Sequence, residues 1–191
     1  MDEPRPGGLA RIFRTFLDIV LFRQGPEDLP VSQSLLFVTI AASILLGLAV
    51  DTLLPLPEFN RIGVAAVEAI FNAAWYWALL QLARRPERFV QMASAFFGVT
   101  IIMLPLYTLA KWLTIGHEPK DLPPLVMFVG LVVQIWLLAV NARILQSATQ
   151  WPLAACIGVM LLREVVLLML VAAMFPDALR ALEQTTTGTS P

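Results

Sequence analysis

The sequence is short of charged residues, and this shortage excludes a water-soluble protein. Only 14% of its 191 residues are charged and 58% are apolar, whereas a soluble domain has about 25% charged and about 45–50% apolar residues. A fold of this composition could not cover its surface with polar groups. The net charge of −1 also provides no basic surface for a nucleic acid.

Cysteine and histidine each occur once, as Cys156 and His117. One cysteine excludes an internal disulfide and a cysteine-based metal cluster. His117 lies beside Glu118 and Asp121 in a proline-rich stretch, which we interpret as a solvated loop rather than a metal site. No nucleophile–base set, phosphate-binding loop or paired-carboxylate motif occurs. We therefore predict a protein that is not an enzyme and needs no metal or cofactor.

Long apolar runs predict the fold. Five runs are long enough to cross a hydrocarbon core about 30 Å thick at about 1.5 Å of helix per residue. The predicted fold is all-α, a polytopic bundle of five transmembrane helices within residues 33–175, between an N-terminal segment (1–32) and a short, mostly disordered tail (176–191). The predicted spans are Gln33–Leu54, Ile62–Ala83, Phe89–Leu113, Pro123–Leu145 and Pro152–Phe175. Among the breaks between them, the one at Gln146–Gln150 is the weakest.

An amphipathic helix is predicted over residues 8–24, before the first span. Its polar face carries Arg11, Arg14, Thr15 and Asp18, and its apolar side carries Leu9, Phe13, Phe16 and Val20. Such a helix suits a membrane surface, and it could equally pack on the protein's own cytoplasmic side. Gly25-Pro26 is predicted to end it, since glycine suits the position after a helix and proline cannot continue one.

The distribution of lysine and arginine predicts the orientation, because these residues concentrate in short loops on the cytoplasmic side of a membrane. With a cytoplasmic N-terminus, eight lie inside, namely Arg5, Arg11, Arg14, Arg23, Arg84, Arg85, Arg88 and Arg143. Four lie outside, namely Arg61, Lys111, Lys120 and Arg180. We predict a plasma-membrane protein of the bacterial inner-membrane type, with its N-terminus in the cytoplasm and its C-terminus outside.

Charged residues within the spans are the candidate functional residues. Arg163 and Glu164 lie near the middle of the fifth span, where a charge costs about 2.5–3.5 kcal/mol on insertion scales. Adjacent helical residues point about 100° apart, so Glu164 is expected to pair poorly with Arg163. A different span should supply the partner.

Two polar stripes can supply this partner. Glu68, Asn72 and Tyr76 recur every four residues in the second span, and Gln134 and Asn141 share a face of the fourth. The resulting polar core could be a path for a proton, ion or substrate. It could also be an interhelical hydrogen-bonded pair that sets helix register, and we favour this structural interpretation.

Short sequence patterns carry two further signals. Small residues recur every four positions, which allows close helix packing. The pairs and triplets are Ala65, Ala69 and Ala73; Ser43 and Gly47; Ser94 and Gly98; and Ala154 and Gly158. The pattern Pro-x-Asp-Leu-Pro occurs at residues 26–30 and 119–123, on opposite predicted sides of the membrane. Such an echo is typical of an inverted repeat, and also of common helix-start residues.

The topology and one element resemble the Yip family of five-span membrane proteins. Gly25-Pro26, followed by Asp28-Leu29-Pro30, precedes the first span, where the family has an acidic-aromatic-Gly-Pro motif. Here the aromatic is absent and the acidic residues follow the Gly-Pro. The resemblance implies a non-catalytic adaptor or organiser with protein or lipid partners, or a homo-oligomer. The alternative is a small transporter or channel subunit with a polar intramembrane site.

Overall fold

The protein is entirely helical in the part of the chain that the structure describes. The structure, a computed structural model, describes residues 8–53, 59–113 and 122–177. Within these ranges it has six α-helices, two short 3-10 helices at Pro26–Asp28 and Pro86–Arg88, and no strand. The α-helices are α1 (Gly8–Val20), α2 (Gln33–Leu53), α3 (Arg61–Leu82), α4 (Phe89–Trp112), α5 (Pro124–Thr149) and α6 (Leu153–Met174). The all-α prediction is confirmed.

Five helices, α2 to α6, are long and apolar enough to cross a membrane. Their number agrees with the five spans predicted from the sequence, and most of their ends agree within one residue where the chain is described. Neighbouring helices along the chain run in opposite directions, because the end of one lies beside the start of the next. Arg61 at the start of α3 donates to the Asp51 carbonyl oxygen near the end of α2, and Arg88 before α4 donates to the Ser147 carbonyl oxygen near the end of α5. The start of α2, the end of α3, the start of α4, the end of α5 and the start of α6 therefore lie together, and we call this the N-terminal end of the bundle.

The predicted break at Gln146–Gln150 begins later than expected, because α5 continues to Thr149 and α6 starts at Leu153. The Arg88 guanidinium donates to the carbonyl oxygen of Ser147 at 2.8 Å, and Thr149 is buried. These tertiary contacts hold the polar last turns in the helix. Gln150 ends it in a left-handed conformation with φ 64°.

Close packing is concentrated at the N-terminal end of the bundle. Residues 92–99 of α4 are all buried, and so are most residues in the last turns of α5. No described residue of α2 beyond Thr39, of α3 before Asn72 or of α6 beyond Arg163 is buried to the same degree. The opposite halves of these helices direct apolar side chains outward, as expected where a hydrocarbon core surrounds them.

Helix α1 packs against the bundle, which agrees with the packing alternative that the sequence left open. Phe16, Ile19 and Val20 are buried. The Phe16 ring lies so close to Gly98 of α4 that a β-carbon at that glycine would overlap it. The Trp136 indole of α5 donates to the carbonyl oxygen of Val20 at 3.1 Å. The small residue at Gly98 thus provides the space for α1.

The end of α1 differs from the prediction. The helix stops at Val20 rather than near residue 24, and Phe22 takes the left-handed conformation with φ 60°. Arg23 N–H then donates to the carbonyl oxygen of Asp18 at 2.8 Å, which satisfies a free helix carbonyl. Gly25 has φ −117°, so its role is not that of a helix terminator.

Candidate functional site

Arg163 is the centre of the polar site between the helices. Its side chain is held in the middle of α6, and the residue is only 6% exposed. Nε donates to Asn72 Oδ1 at 2.7 Å, and Nη1 donates to Glu164 Oε1 at 2.7 Å. The guanidinium carbon also lies 5.0 Å from the centre of the Phe96 ring, in cation–π range. The buried charge is therefore held by contacts from three helices.

Two expectations about Arg163 have opposite outcomes. The expected partner from another span is present, because Asn72 belongs to α3. The expectation that Glu164 pairs poorly is wrong, because it forms an ion pair with Arg163. The 100° between adjacent residues separates only the directions in which the side chains start. The arginine side chain is long enough to curve back, and Glu164 keeps 46% of its side chain exposed.

A small cavity lies beside this ion pair, between α5 and α6. Its volume is about 90 Å³, and Gln134, Asn141, Arg163 and Glu164 contribute its polar lining. Four of the seven predicted site residues therefore share one cavity. The Asn141 side-chain oxygen is buried and has no hydrogen-bond partner among the described residues.

Tyr76 is connected to the site through aromatic packing. The residue is buried at 1% exposure, and its hydroxyl donates to the Met160 sulfur at 3.9 Å. Its ring lies 4.7 Å from the ring of Phe96, which also contacts Arg163. Phe96 and Met160 were missed in the sequence, because an apolar residue in an apolar helix is not distinguished by its type.

Glu68 occupies a different environment from the rest of the site. It lies one helical turn before Asn72, on an exposed side of α3. The predicted stripe is therefore split, with Asn72 and Tyr76 in the interior and Glu68 at the surface. The three residues share a helix face in sequence, but neighbouring helices cover only the part nearest the N-terminal end of the bundle.

A second candidate site is the surface of the N-terminal end of the bundle. Phe13 of α1 is 58% exposed and Leu17 is 39% exposed. Arg11 and Arg14 are also exposed, on a side of the helix that differs from its buried side and from the side of Phe13 and Leu17. In the turn before α4, Arg84 is exposed and adopts φ 57°. This end therefore presents both apolar and basic groups.

The described residues include no group of three His, Cys, Asp or Glu that could hold a metal ion. The cluster predicted as a solvated loop, His117, Glu118 and Asp121, lies outside the described residues. So do most of the second Pro-x-Asp-Leu-Pro copy and the tail beyond residue 177.

Comparisons with protein-family models, with curated proteins and with solved structures find no match to this chain. The resemblance to the Yip family therefore stays a prediction.

Proposed function

We propose that this protein is a non-catalytic membrane adaptor or organiser. It acts through contacts that the N-terminal end of its bundle makes with protein or lipid partners, on the cytoplasmic side of a plasma membrane. The observation that carries the proposal is the position of α1. Phe16, Ile19 and Val20 attach this helix to the bundle, and its remaining sides are left for other molecules.

The division of α1 into three sides supports an adaptor role. One apolar side is used for docking, and a second apolar side presents Phe13 and Leu17. A polar side presents Arg11 and Arg14. An exposed apolar strip beside basic residues suits both a membrane surface and a partner helix, because it offers area to bury and charges to orient the contact.

The polar site between α3 and α6 is better suited to a structural role than to transport. Both hydrogen bonds of Arg163 end on oxygen atoms of this chain. The adjoining cavity of about 90 Å³ is smaller than the roughly 300–1,000 Å³ of most small-molecule sites. The Arg163 guanidinium contacts Asn72 of α3 and Phe96 of α4 from α6. These contacts stabilise one arrangement of three helices, which an adaptor needs.

The test is crosslinking and affinity purification of the intact protein from its native membrane, with partners identified by mass spectrometry. A variant without residues 1–24 should lose the partners. A sharper variant is Phe13→Ser with Leu17→Ser, which changes the exposed side of α1 and leaves its docked side intact. It should lose the same partners.

The matched control is Thr15→Ala, because this side chain donates locally to the Arg11 carbonyl oxygen at 3.1 Å. Partners that persist in this control and disappear in the Phe13–Leu17 variant support the proposal. Recovery of the protein alone, or only as a homo-oligomer, would contradict it. Transport through Glu68 and Arg163 would then be the hypothesis to test.

A small transporter or channel subunit is the second candidate. The buried Asn141 oxygen favours it, because no described residue donates a hydrogen bond to this atom. This function requires water to reach the cavity beside Arg163. The test is to introduce Gln134→Cys together with Cys156→Ser and to add a membrane-impermeant thiol reagent. Labelling in intact membranes would support a water-filled path, and protection from labelling would exclude one through this cavity.

A further inference from the structure

A larger cavity lies at the N-terminal end of the bundle, away from Arg163. Its volume is about 530 Å³, within the roughly 300–1,000 Å³ of small-molecule sites. One wall is the segment from Phe22 to Asp28, which joins α1 to α2, and the other is formed by the last turns of α5. We call it the end cavity.

The segment that forms one wall is fixed in place. Gly25 N–H donates to Asp28 Oδ2 at 3.0 Å, which closes a short 3-10 turn. Gln91 of α4 donates to the carbonyl oxygen of Leu29 at 2.8 Å, and Leu29 is buried. The end cavity is therefore bordered by an ordered segment.

The two walls are also joined to each other. The Ser147 hydroxyl of α5 donates to the Glu27 carboxylate. This carboxylate folds back over Gly25, where a β-carbon would overlap it. Glycine at position 25 thus leaves space for the Glu27 side chain as it lies here, and a larger residue would require this side chain to move.

The charges in the end cavity are balanced. Arg23 and Arg143 carry two positive charges, and Glu27 and Asp28 carry two negative charges. Arg143 donates to Gln146 Oε1 at 3.0 Å, and a guanidinium has five N–H donors, so donors remain for a ligand. A simple anion can pair only with the arginines and a simple cation only with the carboxylates, and each is repelled by the other pair of charges. A ligand that carries both charges fits this set.

Aromatic and apolar groups complete the lining. Phe22 and Trp151 border the end cavity, and aromatic rings attract ammonium groups. Phe22 also lies 5.7 Å from the ring of Trp136, between ring centres. Trp151 lies just beyond the end of α5, and tryptophan is typical of the level at which a bilayer meets water.

The position along α5 places the end cavity at this level. Residues 125–140 are apolar apart from Gln134, and residues 141–150 are rich in polar groups. The lining residues Arg143 and Ser147 belong to the polar part. Lipid head groups therefore lie at the same depth as the end cavity.

We propose that the end cavity binds the head group of a zwitterionic phospholipid. Its phosphate is held by Arg143 and Arg23, and its ammonium group lies toward Glu27 and Asp28. This inference rests on the proposed function only in placing this end of the bundle at a membrane surface. A negative lipid result would leave the partner test with the α1 variants unaffected, so the two failures are distinguishable.

The test is native mass spectrometry of the full chain in a neutral detergent. Phosphatidylethanolamine and phosphatidylglycerol with identical acyl chains are added separately. The wild-type protein should retain phosphatidylethanolamine in preference. Arg143→Gln should lower this binding about tenfold, because it removes charge-assisted hydrogen bonds to the phosphate. Arg85→Gln, at an arginine in the turn before α4 that does not line the end cavity, should leave it unchanged.

A variant that removes one charge and a soluble competitor provide two further tests. Glu27→Gln removes one negative charge, so preference should shift toward the anionic phosphatidylglycerol. Glycerophosphoethanolamine should compete only weakly if the site belongs to a membrane lipid, and competition at equal concentration would identify a soluble ligand instead. Equal or better binding of phosphatidylglycerol by the wild type, or unchanged binding by Arg143→Gln, would overturn the proposal.

Discussion

Replacing Asn72 with leucine should destabilise the bundle by removing the hydrogen-bond acceptor of a buried charge. Arg163 Nε donates to Asn72 Oδ1 at 2.7 Å, and Arg163 is 6% exposed. A hydrogen bond to a charged group contributes about 1.5–3 kcal/mol, whereas neutral interhelical bonds in membranes average about 0.6 kcal/mol. We expect Asn72→Leu to lower the free energy of unfolding by about 2 kcal/mol. Glu164 and Phe96 remain as partners, which limits the loss.

The sole cysteine provides the assay. Cys156 is completely buried, so a maleimide should label it only after unfolding. Purified protein is titrated with sodium dodecyl sulfate in mixed micelles, and the labelled fraction reports the unfolded population. The matched control is Gln134→Leu, at an exposed position on the same cavity, which should change the free energy by no more than about 0.5 kcal/mol.

A double-mutant cycle then tests the cause. Arg163→Met removes the charge, so the loss of Asn72 should matter much less in its presence. The two changes together should be less destabilising than their sum by about 2 kcal/mol. A single-variant effect below about 0.5 kcal/mol, or strict additivity of the two changes, would refute the assignment of Asn72 as the acceptor that satisfies the buried guanidinium.

Two further changes test how the N-terminal end of the bundle is held together. Gly98→Val should force the Phe16 ring from its position on α4 and release α1 from the bundle. Limited proteolysis would detect this release as faster cleavage near residue 20. An unchanged cleavage rate would show that other contacts hold α1. Arg88→Gln should lower the free energy of unfolding by about 1.5–3 kcal/mol, because it removes the bond to the Ser147 carbonyl oxygen. Arg84→Gln, at an exposed position of the same turn, is its control, and equal losses from both changes would contradict the role given to Arg88.

The polar site could be predicted in part from residue type and spacing. A charge in the middle of an apolar helix requires a partner, so Arg163 could be recognised as a site residue from its position. The polar stripe on α3 predicted Asn72 as a candidate partner. The pairing with Glu164 could not be predicted, because the direction in which a side chain starts does not determine where a long side chain ends. Phe96 and Met160 could not be found either, since nothing in their residue types separates them from lipid-facing neighbours.

The number of long helices and most of their ends were determined by the sequence alone, because apolar runs and their breaks reflect the thickness of a bilayer and not the details of packing. The end of α5 and the position at which α1 packs on the bundle were decided only by tertiary structure. The last turns of α5 stay helical because Arg88 bonds to Ser147 and neighbouring helices bury Thr149. Local composition records how well a segment suits a membrane, but contacts between distant segments decide where each helix stops and which of its faces is covered.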